Sequence, residues 1–222
     1  MNFIFMLTHT DRTVENCLDI VDEVLPLGLE HVGFKDIGVS SGVLSELTRR
    51  IRLAGATSYM EVVSETREAC FRSARVAVEL GVDRLLGGTD LPAIMPMLEG
   101  SDIAYYPFAG YPVEHPTKLG GNAGDIAAHC RAFMEDGAAG VDLLAYRATD
   151  ADPIELVKAA RQALGAGELI VAGSVDSCAQ VQSLQEAGAD GFTIGTAVLD
   201  GTFQSGSDGV AAQIRAVLDC VR

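Results

Sequence analysis

The residues best placed to do chemistry are a lysine and a glutamate that close two neighbouring predicted strands. In His31-Val32-Gly33-Phe34-Lys35-Asp36, Val32 and Phe34 share one face, which leaves His31, Gly33 and Lys35 on the other. In Thr57-Ser58-Tyr59-Met60-Glu61-Val62, Met60 and Val62 share a face and Tyr59 and Glu61 take the opposite one. Lys35 is one of only three lysines in the chain. An ammonium there can form a Schiff base with a carbonyl substrate. It can also act as a base if its pKa is lowered, or stabilise an enolate as a cation. A carboxylate beside it makes either a structural ion pair or an acid/base couple with separated pKa values.

The second constellation lies late in the chain. Leu169-Ile170-Val171-Ala172 and Phe192-Thr193-Ile194 are short apolar runs without polar alternation, as expected of parallel strands buried on both faces. Each ends in glycine plus a hydroxyl residue, Gly173-Ser174 and Gly195-Thr196. Glycine permits close approach to the main chain, and the amides that follow point outward towards an anion. Side by side, the two turns form a phosphate cradle; alone, each is an ordinary tight turn.

An alternation of strand and helix positions both groups. Four glycines, Gly28, Gly81, Gly137 and Gly188, each close a predicted helix before an apolar strand and recur at intervals of roughly fifty residues. That interval is two strand-helix units, so four copies give eight. The expected fold is α/β, a single (β/α)8 TIM barrel spanning residues 1–222. Strands are predicted at 2–8, 31–35, 57–62, 84–87, 103–108, 141–146, 169–172 and 192–194. Helices are predicted at 14–24, 42–53, 66–80, 91–98, 124–135, 153–164, 177–187 and 208–221. Asp11 or Thr13, Ser41, Ser64, Asp152 and Asp176 are their expected caps. Lys35 lies seven residues after Gly28 and Gly195 seven after Gly188, which puts both at the same end of the barrel.

The late turns resemble the C-terminal quarter of the ribulose-phosphate-binding barrels, a superfamily that includes histidine- and tryptophan-biosynthesis isomerases and N-acetylmannosamine-6-phosphate epimerase. The resemblance implies that Gly173, Ser174, Gly195 and Thr196 bind a phosphate. It does not carry catalytic residues across. The histidine-biosynthesis isomerases bear an aspartate at the ends of strands one and five, where this chain has Thr8-His9 and Phe108-Ala109. Common class I aldolases place their lysine on strand six, here Tyr146-Arg147. The strand-two lysine looks more like that of the archaeal furan-phosphate synthases, whose second lysine has no match here.

Around the same mouth, Thr8 could bind substrate, His9 could shuttle a proton near neutral pH, and Arg147 could clamp an anion through two bonds. The long connection 109–122 reads as a lid, with Tyr111, His115 and Lys118 able to close over a substrate.

A formal charge of −15 and a pI near 4.5 argue against nucleic acid or an anionic membrane surface as partner. Five singly spaced cysteines favour reduced thiols in a cytoplasmic protein over a disulfide framework or a metal site. The sequence therefore reads as a cytoplasmic, metal- and cofactor-independent enzyme that could assemble as a homo-oligomer. Its substrate would be a small phosphorylated carbonyl or sugar compound, and its reaction an isomerisation, an epimerisation or a carbon–carbon lyase or synthase step, with Lys35, Glu61 and His9 as catalytic candidates. The alternatives are a non-catalytic phospholigand-binding barrel that serves as sensor or assembly subunit, and a flavin-phosphate binder.

Overall fold

The computed structural model describes residues 1–62, 66–114, 117–206 and 208–222. Eight parallel strands form its centre: β1 (Asn2–Met6), β2 (His31–Lys35), β3 (Thr57–Glu61), β4 (Arg84–Leu86), β5 (Ala104–Tyr106), β6 (Gly140–Leu143), β7 (Glu168–Val171) and β8 (Gly191–Ile194). Their order is β6-β7-β8-β1-β2-β3-β4-β5. A parallel bridge between Phe108 and Asp142 joins the two ends into a barrel. Around it run α1 (Cys17–Val24), α2 (Ser41–Leu53), α3 (Arg67–Leu80), α4 (Leu91–Leu98), α5 (Ala123–Glu135), α6 (Pro153–Leu164), α7 (Cys178–Ala187), the short α8 (Thr196–Leu199) and α9 (Val210–Val221).

Side-chain period decides what each strand buries. Ile4, Met6, Tyr59, Leu86, Tyr106 and Ile170 point inward and fill the barrel, whereas Phe3, Phe5, Val32, Phe34 and Met60 pack outward against the helices. Each fully buried side chain of this size contributes roughly 1.5–3 kcal/mol. Below the inner cluster, Arg84 reaches both Glu168 and the Tyr106 hydroxyl, and the Tyr59 hydroxyl meets His31 Nδ1 at 3.1 Å. This polar floor lies at the N-terminal ends of the strands.

The recurring glycines take left-handed conformations, with φ between 64° and 91°. The acids that follow two of them join neighbouring strands. Asp83 accepts the Ser58 amide at 2.7 Å, and Asp190 accepts the Leu169 amide at 2.8 Å.

Several local expectations change. Ser40 rather than Ser41 caps α2, Thr66 caps α3, and Ser177 rather than Asp176 precedes α7; Asp152 caps α6 as expected. Ser64 lies outside the described residues. The first helix begins at Cys17, with Asn16 at its cap, because the chain first makes a hairpin of Thr8–His9 against Arg12–Thr13. Asp11 and Thr13 serve that hairpin instead of a helix end.

The cysteines also depart from expectation. Cys178 and Cys220 form a disulfide across a Cα separation of 5.6 Å, while Cys17, Cys70 and Cys130 take no part in a disulfide. The pair is invisible in linear spacing because it joins α7 to α9, which become neighbours only when the ring of helices closes. It also removes the cysteine-based reason for expecting a reducing compartment. Among the described residues, no helix is long and apolar enough to cross a membrane.

Candidate active site

β2 and β3 run in register with Lys35 opposite Glu61. The Lys35 Nζ lies 3.1 Å from a Glu61 oxygen and 3.2 Å from an Asp11 oxygen. The Thr13 hydroxyl donates to the Lys35 carbonyl at 2.7 Å and accepts its amide at 2.9 Å, which anchors the hairpin against the end of β2. Between the hairpin strands, Thr10 and Asp11 are left-handed, with φ of 47° and 58°. Non-glycine residues rarely adopt this conformation without compensation. The turn directs the Asp11 carboxylate back at the lysine, and Arg147 approaches its other oxygen at 3.7 Å.

Lys35 is 7% exposed. Burial pulls its pKa down, but the Glu61 and Asp11 carboxylates together outweigh burial and hold it above the ordinary lysine value. The group is an ammonium. It is suited to stabilising negative charge and not to serving as a free amine.

A cavity of about 390 Å³ opens at this end of the barrel. Asp11, Glu61, Arg147, Gly173, Ser174, Val175, Gly195 and Thr196 all line it. Thr8, Thr10, Thr193 and Thr202 add hydroxyls. Among the described residues, no protein acceptor takes the amides of Gly173, Ser174, Val175 or Gly195. Gly173 and Ser174 are consecutive left-handed residues, with φ of 82° and 61°. Both residues line the cavity.

The two glycines also have local reasons to be glycine. A Cβ on Gly173 would come within 2.9 Å of the Arg147 side chain, and one on Gly195 within 2.7 Å of the Thr8 carbonyl oxygen. The β1 and β8 strand ends therefore touch through Gly195, and its position beside the cavity follows from that packing.

Other sequence candidates lie elsewhere. His9 is half exposed and pairs with Asp200 at 3.1 Å, outside the cavity lining. The 109–122 connection forms a hairpin, Tyr111–Val113 against Lys118–Gly120. Leu119 pairs with Ala148, and Arg147 donates to the Thr117 carbonyl at 3.4 Å, so the hairpin is joined to the turn after β6. Tyr111 stands half exposed against the His129 ring, and Lys118 pairs with Glu114 at 2.6 Å on the surface. Neither lines the cavity. His115 lies outside the described residues. Asp36 accepts from the Ser73 hydroxyl, and Asp90 pairs with Arg67 at 2.7 Å. Among the described residues, no group of three or more His, Cys, Asp or Glu side chains is placed to hold a metal ion.

The reading of strand ends misses Asp142. It sits within β6 and is fully buried, and neither carboxyl oxygen has a hydrogen-bond partner among the described residues. Burial, then the Glu61 charge, push its pKa well above the ordinary carboxyl range, against the pull of Lys35 and Arg147. The signal was available: an acid between Val141 and Leu143 breaks an otherwise apolar strand.

No family model matches the sequence, and no curated protein matches it. Solved structures do. Thiamine phosphate pyrophosphorylase from Pyrococcus furiosus superposes with a TM-score of 0.69 at 12% identity over 99% of this chain and 95% of that one. Orotidine 5'-phosphate decarboxylase from Pyrococcus horikoshii OT3 gives 0.68 at 14% identity over 99% and 98%. A mandelate oxidase with a monooxide FMN adduct gives 0.57 at 16% identity over 86% and 65%. The chain is a (β/α)8 barrel. At these identities the likeness concerns the fold, which is the one the sequence resemblance implied, and the chemistry must come from the residues at the mouth.

Proposed function

We propose that this barrel is an enzyme acting on a small phosphorylated carbonyl or sugar compound by moving a proton next to the carbonyl. The step serves isomerisation, epimerisation or carbon–carbon lyase chemistry alike. The observation that carries the reading is one cavity lined both by main-chain amides that no acceptor among the described residues takes and by an ammonium-paired carboxylate. The phosphate sits on the Gly173–Val175 and Gly195–Thr196 amides. Glu61, which lines the cavity, takes the proton. The C–H electron pair stays on the substrate as an enolate. The Lys35 ammonium, held behind Glu61 and Asp11, offsets that charge. Arg147 and the threonine hydroxyls orient the polar remainder.

An ammonium clasped by two carboxylates favours this electrostatic role over an imine. Two of the neighbours are named for phosphorylated compounds, thiamine phosphate and orotidine 5'-phosphate, which agrees with the phosphate assignment.

The test is to incubate the protein with a panel of triose, pentose and hexose phosphates in heavy water and to follow deuterium entering the carbon beside the carbonyl by NMR. Exchange that falls by about 10²–10⁴-fold in Glu61→Gln supports the reading. Phosphate binding without exchange points to a non-catalytic phospholigand barrel. Trapping by borohydride that disappears in Lys35→Ala points to an imine instead.

A further inference from the structure

Arg147, on the turn after β6, touches both groups of residues at the mouth. Its Cγ, Cδ and Nε atoms each lie 2.9 Å from the place a Cβ on Gly173 would take, so its stem rests on the first residue of the cradle. Its Nη1 reaches the Thr117 carbonyl at 3.4 Å and an Asp11 oxygen at 3.7 Å. Both contacts are longer than the roughly 2.7–2.9 Å of a strong charge-assisted bond. Among the described residues, no acceptor takes Nε or Nη2. In a planar guanidinium these two nitrogens form one edge, which can grip a carboxylate or phosphate through two parallel bonds.

The charges of the cavity call for a cation at this place. Asp11, Glu61 and Asp176 line it, and among the described lining residues Arg147 alone is positive. The chain carries a formal −15, so no general field draws an anion in. Lys35 is not among the lining residues, and two carboxylates already hold it at 3.1 and 3.2 Å. A phosphoryl dianion seated on neutral amides therefore has Arg147 as its nearest available counter-charge.

We propose that Arg147 is the side-chain ligand of the phosphoryl group. Its Nε–Nη2 edge grips the anion beside Gly173 while the main-chain amides of the cradle hold it from below. Nη1 remains with the Asp11 side of the mouth, where it orients the polar remainder of the substrate. This assignment rests on the phosphate seat proposed above and adds to it a residue that discriminates for charge.

The test is to titrate protein labelled with nitrogen-15 with inorganic phosphate and to follow the Arg147 Nε–H signal, assigned by through-bond correlation to its own backbone. The expected result is a saturable shift of that signal with the same midpoint as the cradle amides. Phosphate affinity should fall by about 10–100-fold in Arg147→Gln. Arg147→Lys keeps the charge without the fork and should recover part of that loss. Cradle amides that shift while the Arg147 signal stays still, or an Arg147→Gln variant that binds phosphate as the wild type does, overturn the assignment and leave the cradle standing. Absence of any saturable binding ends both. If Arg147→Gln does not fold, the wild-type Nε–H signal still decides the matter.

Discussion

Lys35 and Glu61 are register partners on adjacent strands, and their ammonium and carboxylate meet at 3.1 Å inside the barrel mouth. The pair is almost sealed from solvent, with side-chain exposures of 9% and 14%. A second carboxylate, Asp11, shares the same nitrogen. Replacing the cation therefore leaves two acids facing each other in a poorly hydrated space. Lys35→Met should cost about 3–5 kcal/mol. Chemical denaturation measures it, and a loss below 1 kcal/mol would mean that water already screens the cluster.

The pH dependence of that loss has a definite sign. The folded-state pKa of Lys35 is raised above the ordinary value of 10.5 by its carboxylate partners. The stabilisation is thus fully present below 10.5 and disappears as pH rises through the folded value. Stability curves of the wild type and Lys35→Met should converge only on the alkaline side of 10.5.

Asp142 gives a shift that appears at lower pH. Its folded pKa is raised above 3.8, so the folded protein holds a proton that the unfolded chain has released. That contribution is complete below 3.8 and is lost as pH rises towards the folded value. Asp142→Asn does not titrate, so its stability relative to wild type should improve as pH rises above 3.8. Parallel curves would place no proton on Asp142.

Breaking the disulfide should weaken the C-terminal quarter. The link from Cys178 to Cys220 spans 42 residues, for which loop entropy gives about 4 kcal/mol. Thermal unfolding with and without reductant measures the effect, and a Cys220→Ala variant should match the reduced protein.

At Gly195 an added Cβ would meet the Thr8 carbonyl oxygen at 2.7 Å and the Met6 carbonyl oxygen at 2.9 Å. Backbone atoms cannot swing away as a side chain can. Gly195→Ala should cost about 1–3 kcal/mol through overpacking and disturb the cradle as β1 and β8 separate. Unfolding midpoints check the first effect, and phosphate affinity checks the second.

The barrel was legible because buried parallel strands announce themselves as apolar runs and because left-handed glycines close the helices at a steady interval. The facing of Lys35 and Glu61 followed from strand alternation alone. Asp142 was missed for a physical reason: attention to strand ends overlooks an acid one layer below them. Asp11 read as a helix cap because its approach to Lys35 depends on two left-handed residues that no short motif encodes. Tyr111 and Lys118 sit on the expected connection, but hairpin pairing joins it to the turn after β6 and leaves both side chains outside the cavity. The disulfide depends on helices that only the closed ring makes neighbours.

The most direct measurement is a titration of nitrogen-15-labelled protein with inorganic phosphate, read at the backbone amides. Saturable shifts concentrated at Gly173, Ser174, Val175, Gly195 and Thr196 are the expected result. Shifts confined to other surfaces, or none that saturate, would contradict the claim that these two turns hold a phosphoryl group opposite Lys35 and Glu61.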